Sequence, residues 1–575
     1  MSMFKLNCGI QDRNRSNLLA HLRHAALKRF CAAQDGSLTV LALCLFLLMV
    51  MMGGLAVDLM RYEQTRTTLQ NTLDRATLAA ASLTQSLEPK NVVADYFTKA
   101  GLNQYLKSVT VSEGMNFRNV TADAAAATDP YFLHLIGKSK LDAAGHSMAE
   151  QRVTNVEIML VLDVSGSMAT NNKLVNLKTA AKEFVDTVLS SDAEHKISIG
   201  LVPFNGQVNI GPDLRAKYTG LTDDPAVALP SNSDAAKVQC VDMPSSVYNA
   251  TALPTNTSMS MTAHADTYST TNQATSYVAY TDTTYAIGYN ATNNAGNVWC
   301  PPIAGNIIRL PSESISSLQN QIGGLVAVGA TSINAGLKWG MALMDPAAAT
   351  MYTQLIASGK MSSDLSGRPF SFTDPEAMKV IVLMTDGEHF AEERVNAAYK
   401  SGLSPIYKSV NDGLYSIRFT TGRPSTAGTN QYWVPSQNAW QAGPWTNNKS
   451  TGATQQTWPQ VWSQMRLSYV AWQLYARALG TNPTTRTTQY NAAMAAFRSQ
   501  TDTDAMDAQL QKICGLAKGQ GVIVYGIAFE APANGQTQIR NCSTSAAHYF
   551  SASGLQIRTA FRAIASNISQ LRLTQ

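Results

Sequence analysis

Val156-Glu157-Ile158-Met159-Leu160-Val161-Leu162-Asp163-Val164-Ser165-Gly166-Ser167 is the stretch on which the reading of this chain turns. An apolar run of strand length ends in the pattern D-x-S-x-S. Leu174, Leu177, Ala181, Phe184, Val185 and Val188 then recur at helical spacing. A buried strand that stops at Asp163 and turns into a helix offers one carboxylate and two hydroxyls to a common point. Such oxygens suit a hard divalent cation, Mg²⁺ or Mn²⁺, which is held by few protein ligands and keeps positions open for water or a partner's oxygen. The plainer alternative is that Ser165 and Ser167 only cap the helix that follows.

Working outward, strand and helix alternate. A strand at 197–202, a helix at 332–344, the strand Val380-Ile381-Val382-Leu383-Met384, a helix at 505–518, a strand at 522–529, a short strand at 548–550 and a last helix at 555–571 are expected. Near-continuous apolar strands separated by helices imply an α/β fold with a doubly wound, mostly parallel sheet covered on both faces. Ligands of such sheets sit outside the carboxyl ends of the strands, where Asp163 and Asp386 both fall.

The D-x-S-x-S loop, Gly329-Ala330-Thr331-Ser332 before a helix, and Thr385-Asp386-Gly387-Glu388 after a strand together resemble the metal-ion-dependent adhesion site (MIDAS) of von Willebrand factor A (vWA) domains. The resemblance covers roughly 155–210, 312–390 and 505–571. It implies a vWA/Rossmann-like fold and five metal ligands: Asp163, Ser165, Ser167, Thr331 and Asp386. It also implies a sixth coordination position open to a partner's acidic side chain, and a binding role rather than catalysis.

Two stretches break the rhythm. Residues of about 211–311 are rich in Thr, Ser, Asn and Ala, and a segment that long is a subdomain or disordered. Residues of about 388–503 hold six of the eight tryptophans, Trp433, Trp440, Trp445, Trp458, Trp462 and Trp472. Trp458, Trp462, Met465, Tyr469 and Trp472 fall at helical spacing, which favours a buried helix face over an exposed aromatic platform. Four cysteines in this half allow three pairings. Cys240–Cys300 and Cys514–Cys542 are expected because each closes a local loop, stabilising the fold by roughly 4 kcal/mol apiece.

Toward the N-terminus, Leu38 to Val57 carry no charge over about 20 residues, enough to cross a bilayer as a helix. Lys5, Arg13, Arg15, Arg23, Lys28 and Arg29 precede them, while Asp58, Arg61, Glu63 and Arg66 follow in balance. The positive-inside rule then puts residues 1–36 in the cytoplasm as a basic segment, 37–58 in the membrane, and the rest outside. A cleaved signal peptide is the alternative, but the apolar run is too long for one and no A-x-A site follows closely. Leu69, Leu73, Ala76, Ala80 and Leu83 continue a helical seam outward to about Leu87. That seam either packs on its own domain or pairs with a like helix. Residues 59–150 are thus a helical stalk and linker region, in which Tyr131-Phe132-Leu133-His134-Leu135-Ile136 looks strand-like. The vWA-like part occupies 151–575.

Gln34-Asp35-Gly36-Ser37, Gly54-Leu55-Ala56-Val57-Asp58-Leu59 and the run Asn71 to Ala81 resemble TadE/TadG-like pilus-assembly proteins. In the TadG type a pilin-like anchor precedes an exported vWA domain, and the family builds Flp-type tight-adherence pili. The resemblance implies a single-pass protein of the bacterial inner membrane with its bulk in the periplasm. Its partners would be pilus-assembly or pilin-like proteins, engaged through an acidic residue, with pairing to TadE-like helices as a further option. Leu41 stands where a prepilin-peptidase site would want Glu, so the anchor is expected to stay uncleaved.

Composition agrees. Charged residues are only 14% of the chain against about a quarter in ordinary globular domains, as in envelope-exposed proteins. A net charge of +5, partly N-terminal, leaves no basic stripe for nucleic acid. No H-E-x-x-H, G-x-S-x-G or Walker loop occurs, and Glu388 with His389 is the one pair that a metal hydrolase reading would use. The expectation is a non-enzyme acting in pilus assembly or anchoring. The alternative is a vWA adhesin or sensor for extracellular protein ligands.

Overall fold

The structure is a computed structural model and describes residues 28, 37–82, 85, 87–113, 117–152, 155–190, 192, 195–222, 238–267, 298–374 and 376–574. The basic segment 1–36 apart from Lys28, Leu83, and residues 223–237 and 268–297 of the first insertion lie outside the described residues. Two compact units result, Met1–Gln151 and Arg152–Gln575.

In the first unit, α1 (Ser37–Ala81) is one continuous helix and the longest apolar element among the described residues. It ends at Ala81 rather than near Leu87, and Pro89 opens α2 (Pro89–Lys99), where its fixed φ and missing N–H are tolerated. Leu69, Leu73, Ala76 and Ala80 bury against Val92, Val93 and Phe97 of α2 and against Val120, Ala122, Ala124 and Ala126. The seam therefore packs on its own unit, where a fully buried side chain such as Phe97 contributes about 2–3 kcal/mol. The last four residues belong to a three-stranded antiparallel sheet, β1 (Leu106–Glu113), β2 (Phe117–Thr128) and β3 (Leu141–Arg152), where a linker is expected from sequence. The strand-like segment 131–136, to which the sequence assigns no fold, holds a single 3₁₀ turn, Leu133–Ile136, at the tip of the β2–β3 hairpin. Apolar runs of six residues do not distinguish these states.

The second unit is mixed α/β. Its main sheet holds β4 (Asn155–Asp163), β5 (Ile197–Phe204), β6 (Arg309–Ser312), β7 (Ala377–Thr385), β8 (Ile523–Phe529) and β9 (Tyr549–Ala552), in the order β9-β8-β7-β4-β5-β6. Neighbours pair in parallel except β5 with β6, which is antiparallel. The remaining sheets of this unit are mixed or antiparallel, among them a five-stranded antiparallel sheet built from residues 403–457, so the expected mostly parallel arrangement does not extend to the insertions.

Alternation along β4 sorts the core. Met159 and Val161 face one cluster with α4 (Ile333–Met344) and α5 (Thr503–Gly519). Ile158, Leu160 and Leu162 face another with α3 (Lys173–Ser190) and α7 (Gln556–Thr574). Glu157, the charged residue in the middle of that strand's apolar run, is buried with Lys379 opposite it in register as its ion-pair partner and Arg368 at 3.8 Å. Cys514 of α5 is bonded to Cys542 of α6 (Ala533–Cys542), and Cys240 to Cys300, with S–S distances of 1.93 and 2.02 Å. Trp458, Trp462, Met465, Tyr469 and Trp472 are all buried, in short broken helical turns rather than one helix.

Candidate functional site

Strand ends bring three loops together. β4 and β7 are parallel neighbours, so Asp163 and Asp386 leave the sheet side by side at its carboxyl edge. The second loop, before α4, is tied to the first by backbone: Gly166 N–H donates to Gly329 O at 2.9 Å, and Val328 N–H to Val164 O at 2.8 Å. This crossing needs small residues. Gly329 has φ of 81°, and a Cβ at Gly166 would sit 3.2 Å from Gly329 O. Ser332 N–H donates to Asn205 O at 2.7 Å, fixing the same loop to the end of β5.

Of the five side chains singled out from sequence, three bond one another directly. Ser167 Oγ donates to Asp386 Oδ1 at 2.7 Å, Ser165 Oγ lies 3.5 Å from the same oxygen, and the two hydroxyls are 3.0 Å apart. Asp163 is fully buried one step below. Its Oδ1 accepts the Ser165 N–H at 2.8 Å and its Oδ2 the Thr385 hydroxyl at 2.5 Å. Thr331 flanks the third loop: a Cβ on Gly387 would meet its Oγ1 at 3.5 Å, and its carbonyl accepts Phe390 N–H at 3.0 Å. Asp163, Ser165, Thr331 and Asp386 are buried, whereas Ser167 is exposed and gives the cluster its face to solvent.

Two buried carboxyls, Asp163 and Asp386, act on each other here. Burial, and then the charge of Asp386, push the Asp163 carboxyl up to about 7, against the hydrogen bonds from Thr385 and Ser165. A positive charge in the cluster would relieve both causes. The donor set consists of carboxylates and hydroxyls alone, which fits a hard divalent ion better than a soft one.

Sequence reading missed two contributors. Lys173, the first residue of α3, places Nζ 2.9 Å from Asp386 Oδ2. Nothing in the sequence separates it from a solvated helix-start lysine. Thr385, which holds Asp163, was legible only as the residue before the aspartate. His389, weighed with Glu388 for hydrolysis, is turned to other partners: Nδ1 donates to Asp507 Oδ1 at 2.6 Å and Nε2 accepts Asn334 N–H at 3.1 Å. Glu388 is exposed.

Residues 36–83 match the family model described as putative Flp pilus-assembly TadE/G-like. No curated protein matches the chain. Solved structures similar to it include the vWF domain of the type V pili tip protein Mfa5 from Porphyromonas gingivalis, 12% identical over 74% of this chain and 98% of that one, with a TM-score of 0.30. The pilus adhesin SpaC from Lactobacillus rhamnosus GG is 13% identical over 80% of this chain and 34% of its own, with a TM-score of 0.27. The PilB minor pilin from Streptococcus sanguinis is 12% identical over 81% and 78%, with a TM-score of 0.27.

Proposed function

We propose that this chain is a single-pass protein of the bacterial inner membrane that acts in assembly or anchoring of a Flp-type pilus. Its periplasmic unit, a doubly wound vWA-like sheet with two insertions, binds a protein partner through a metal ion. The observation that carries the pilus reading is the TadE/G-like match over 36–83, which falls on the one helix among the described residues long and apolar enough to cross a membrane. What supports the metal reading is the meeting of Asp163, Ser165, Ser167, Thr331 and Asp386 from three loops at one sheet edge.

Ser165, Ser167 and Thr331 would hold Mg²⁺ or Mn²⁺ by their hydroxyls, with Asp163 and Asp386 balancing its charge. The ion supplies a point of positive charge facing solvent on the Ser167 side, where an acidic side chain of a pilin-like or assembly partner would complete its shell. The residues themselves do the positioning. Thr385 and Ser165 fix the Asp163 carboxylate, Lys173 holds one oxygen of Asp386, and the other oxygen is left to the serines.

Deleting the gene should abolish surface fibres while pilin levels persist, and the Asp163→Ala gene should fail to restore them. Normal piliation of the deletion strain would refute the assembly role. Restored piliation by Asp163→Ala would refute the role of the metal.

A further inference from the structure

The first unit carries an apolar surface that its own core does not use. The β2–β3 hairpin tip folds back along α1, and Asp58, the first charge after the apolar run, receives it. Asp58 Oδ1 accepts Tyr131 N–H at 2.9 Å, and Oδ2 accepts Phe132 N–H at 2.7 Å and Leu133 N–H at 2.8 Å. The turn closes itself with Leu135 N–H to Phe132 O, Gly137 N–H to His134 O and Lys138 N–H to Leu133 O, at 3.0–3.1 Å. Phe132 lies flat on the helix at Gly54, where a Cβ would fall 2.2 Å from its ring. The Arg61 guanidinium sits 4.2 Å from the centre of the Tyr131 ring.

Three of the tip's apolar side chains point outward: Tyr131, Leu135 and Ile136 are 69, 72 and 58% exposed. Ile136 and Phe132 share a groove of about 180 Å³ with Leu48, Met51, Met52 and Leu55 of α1. Leu48 is about 15 Å below Asp58 along the helix axis, half the roughly 30 Å of a hydrocarbon core. If α1 crosses a bilayer over its uncharged run, the tip cannot share that groove without entering the same leaflet. Its backbone is prepared for this, because a lipid-exposed N–H must find its acceptor within the protein. Lys138 and Lys140, both exposed, follow the tip and can reach phosphate headgroups.

We infer that residues 131–137 form a second membrane-inserted element, a wedge that buries Leu135 and Ile136 among the acyl chains of the leaflet through which α1 leaves the bilayer. The inference rests on α1 being a membrane span. The wedge would fix the tilt and depth of the helix and hold the three-stranded sheet against the membrane surface.

The test uses the full chain with Cys8, Cys31 and Cys44 changed to Ser, reconstituted in phosphatidylcholine–phosphatidylglycerol vesicles. A nitroxide is placed at Leu135→Cys, at Leu45→Cys within the span, and at Thr98→Cys on the exposed face of α2. Label at 135 should collide with oxygen in preference to a water-soluble nickel chelate, matching 45 and several-fold above 98. Ready access of nickel at 135 with 45 in lipid overturns the wedge. Ready access of nickel at 45 overturns the span itself. Shielding of 135 from both reagents, or dipolar broadening between labels on two copies, would give the groove to a protein partner and also overturn the wedge. The same reading at Ile136→Cys guards against a local misfold of the first variant.

Discussion

Lys173 Nζ stands 2.9 Å from Asp386 Oδ2, with the two side chains 9% and 0% exposed. A buried ammonium therefore sits beside one of the carboxylates that would balance a divalent ion in the proposed function. Without metal it offsets a charge that would otherwise face Asp163 alone, and with metal it adds like-charge repulsion. Removing it should have opposite effects on the two states. Lys173→Met is expected to destabilise the metal-free protein by about 3 kcal/mol, the usual cost of breaking a buried pair. The same variant should bind Mg²⁺ about tenfold tighter, a gain of about 1.4 kcal/mol. Calorimetric titration of metal-free protein with MgCl₂ reads this directly. Weaker binding by the variant would mean that Lys173 orients Asp386 rather than competing for it.

Asp163→Ala separates binding from folding. The variant leaves the Thr385 hydroxyl and the Ser165 N–H without their acceptor, a loss of about 2 kcal/mol, but also removes a carboxyl whose ionised form burial and the charge of Asp386 disfavour. Stability in chelator should therefore change little. Wild-type protein at 100-fold excess of Mg²⁺ over its Kd should gain about 2.7 kcal/mol, and the variant none. Urea unfolding in chelator and in Mg²⁺ gives all four values. An equal gain in the variant would show that the ion binds elsewhere.

How far the sequence reached depends on what fixed each element. β4, β7 and β8 were legible because strands buried on both faces read as unbroken apolar runs, and parallel pairing then set Asp163 beside Asp386. Thr331 was legible from its loop and the helix behind it. Lys173 was not, because a lysine at a helix start reads as solvated until its rotamer is known. The 131–136 turn was left without a fold, because its apolar residues serve an outer surface and only look like those of a strand. The tryptophan-rich insertion showed its burial but not its broken helices, since helical spacing over 458–472 survives the interruptions.

That insertion has a core of its own, and Trp462 is at its centre. It is 1% exposed, stacks on Trp458 with ring centres 5.1 Å apart, and donates from Nε1 to Tyr399 O at 2.8 Å. Trp462→Ala should cost about 3–5 kcal/mol, as for other large-to-small core changes. Chemical denaturation followed by near-ultraviolet circular dichroism would register it. A loss below about 1 kcal/mol, the scale of an ordinary surface change, would return the tryptophans to the role of a partner platform.

The face of the sheet that carries α3 and α7 supplies a pH test independent of metal. Arg558 donates to both oxygens of Glu183, and Arg562 approaches Oε2 at 3.2 Å. The hydrogen bond from Arg558 is the largest influence and, helped by the charges of both arginines, holds the Glu183 carboxyl below its ordinary value against the opposing cost of burial. Between the folded and unfolded values the unfolded chain binds more protons, so stability rises with pH across that window. The contribution is complete above the unfolded value of about 4.3 and is lost as pH falls through the folded one. Because Glu183 is 30% exposed and its partners more so, its worth is about 0.5–1 kcal/mol and falls with added salt. Glu183→Gln should therefore lie below wild type by that amount at neutral pH and converge with it at a pH well below the unfolded value. A gap that stays constant with pH would assign the loss to packing between α3 and α7 rather than to the ion pair.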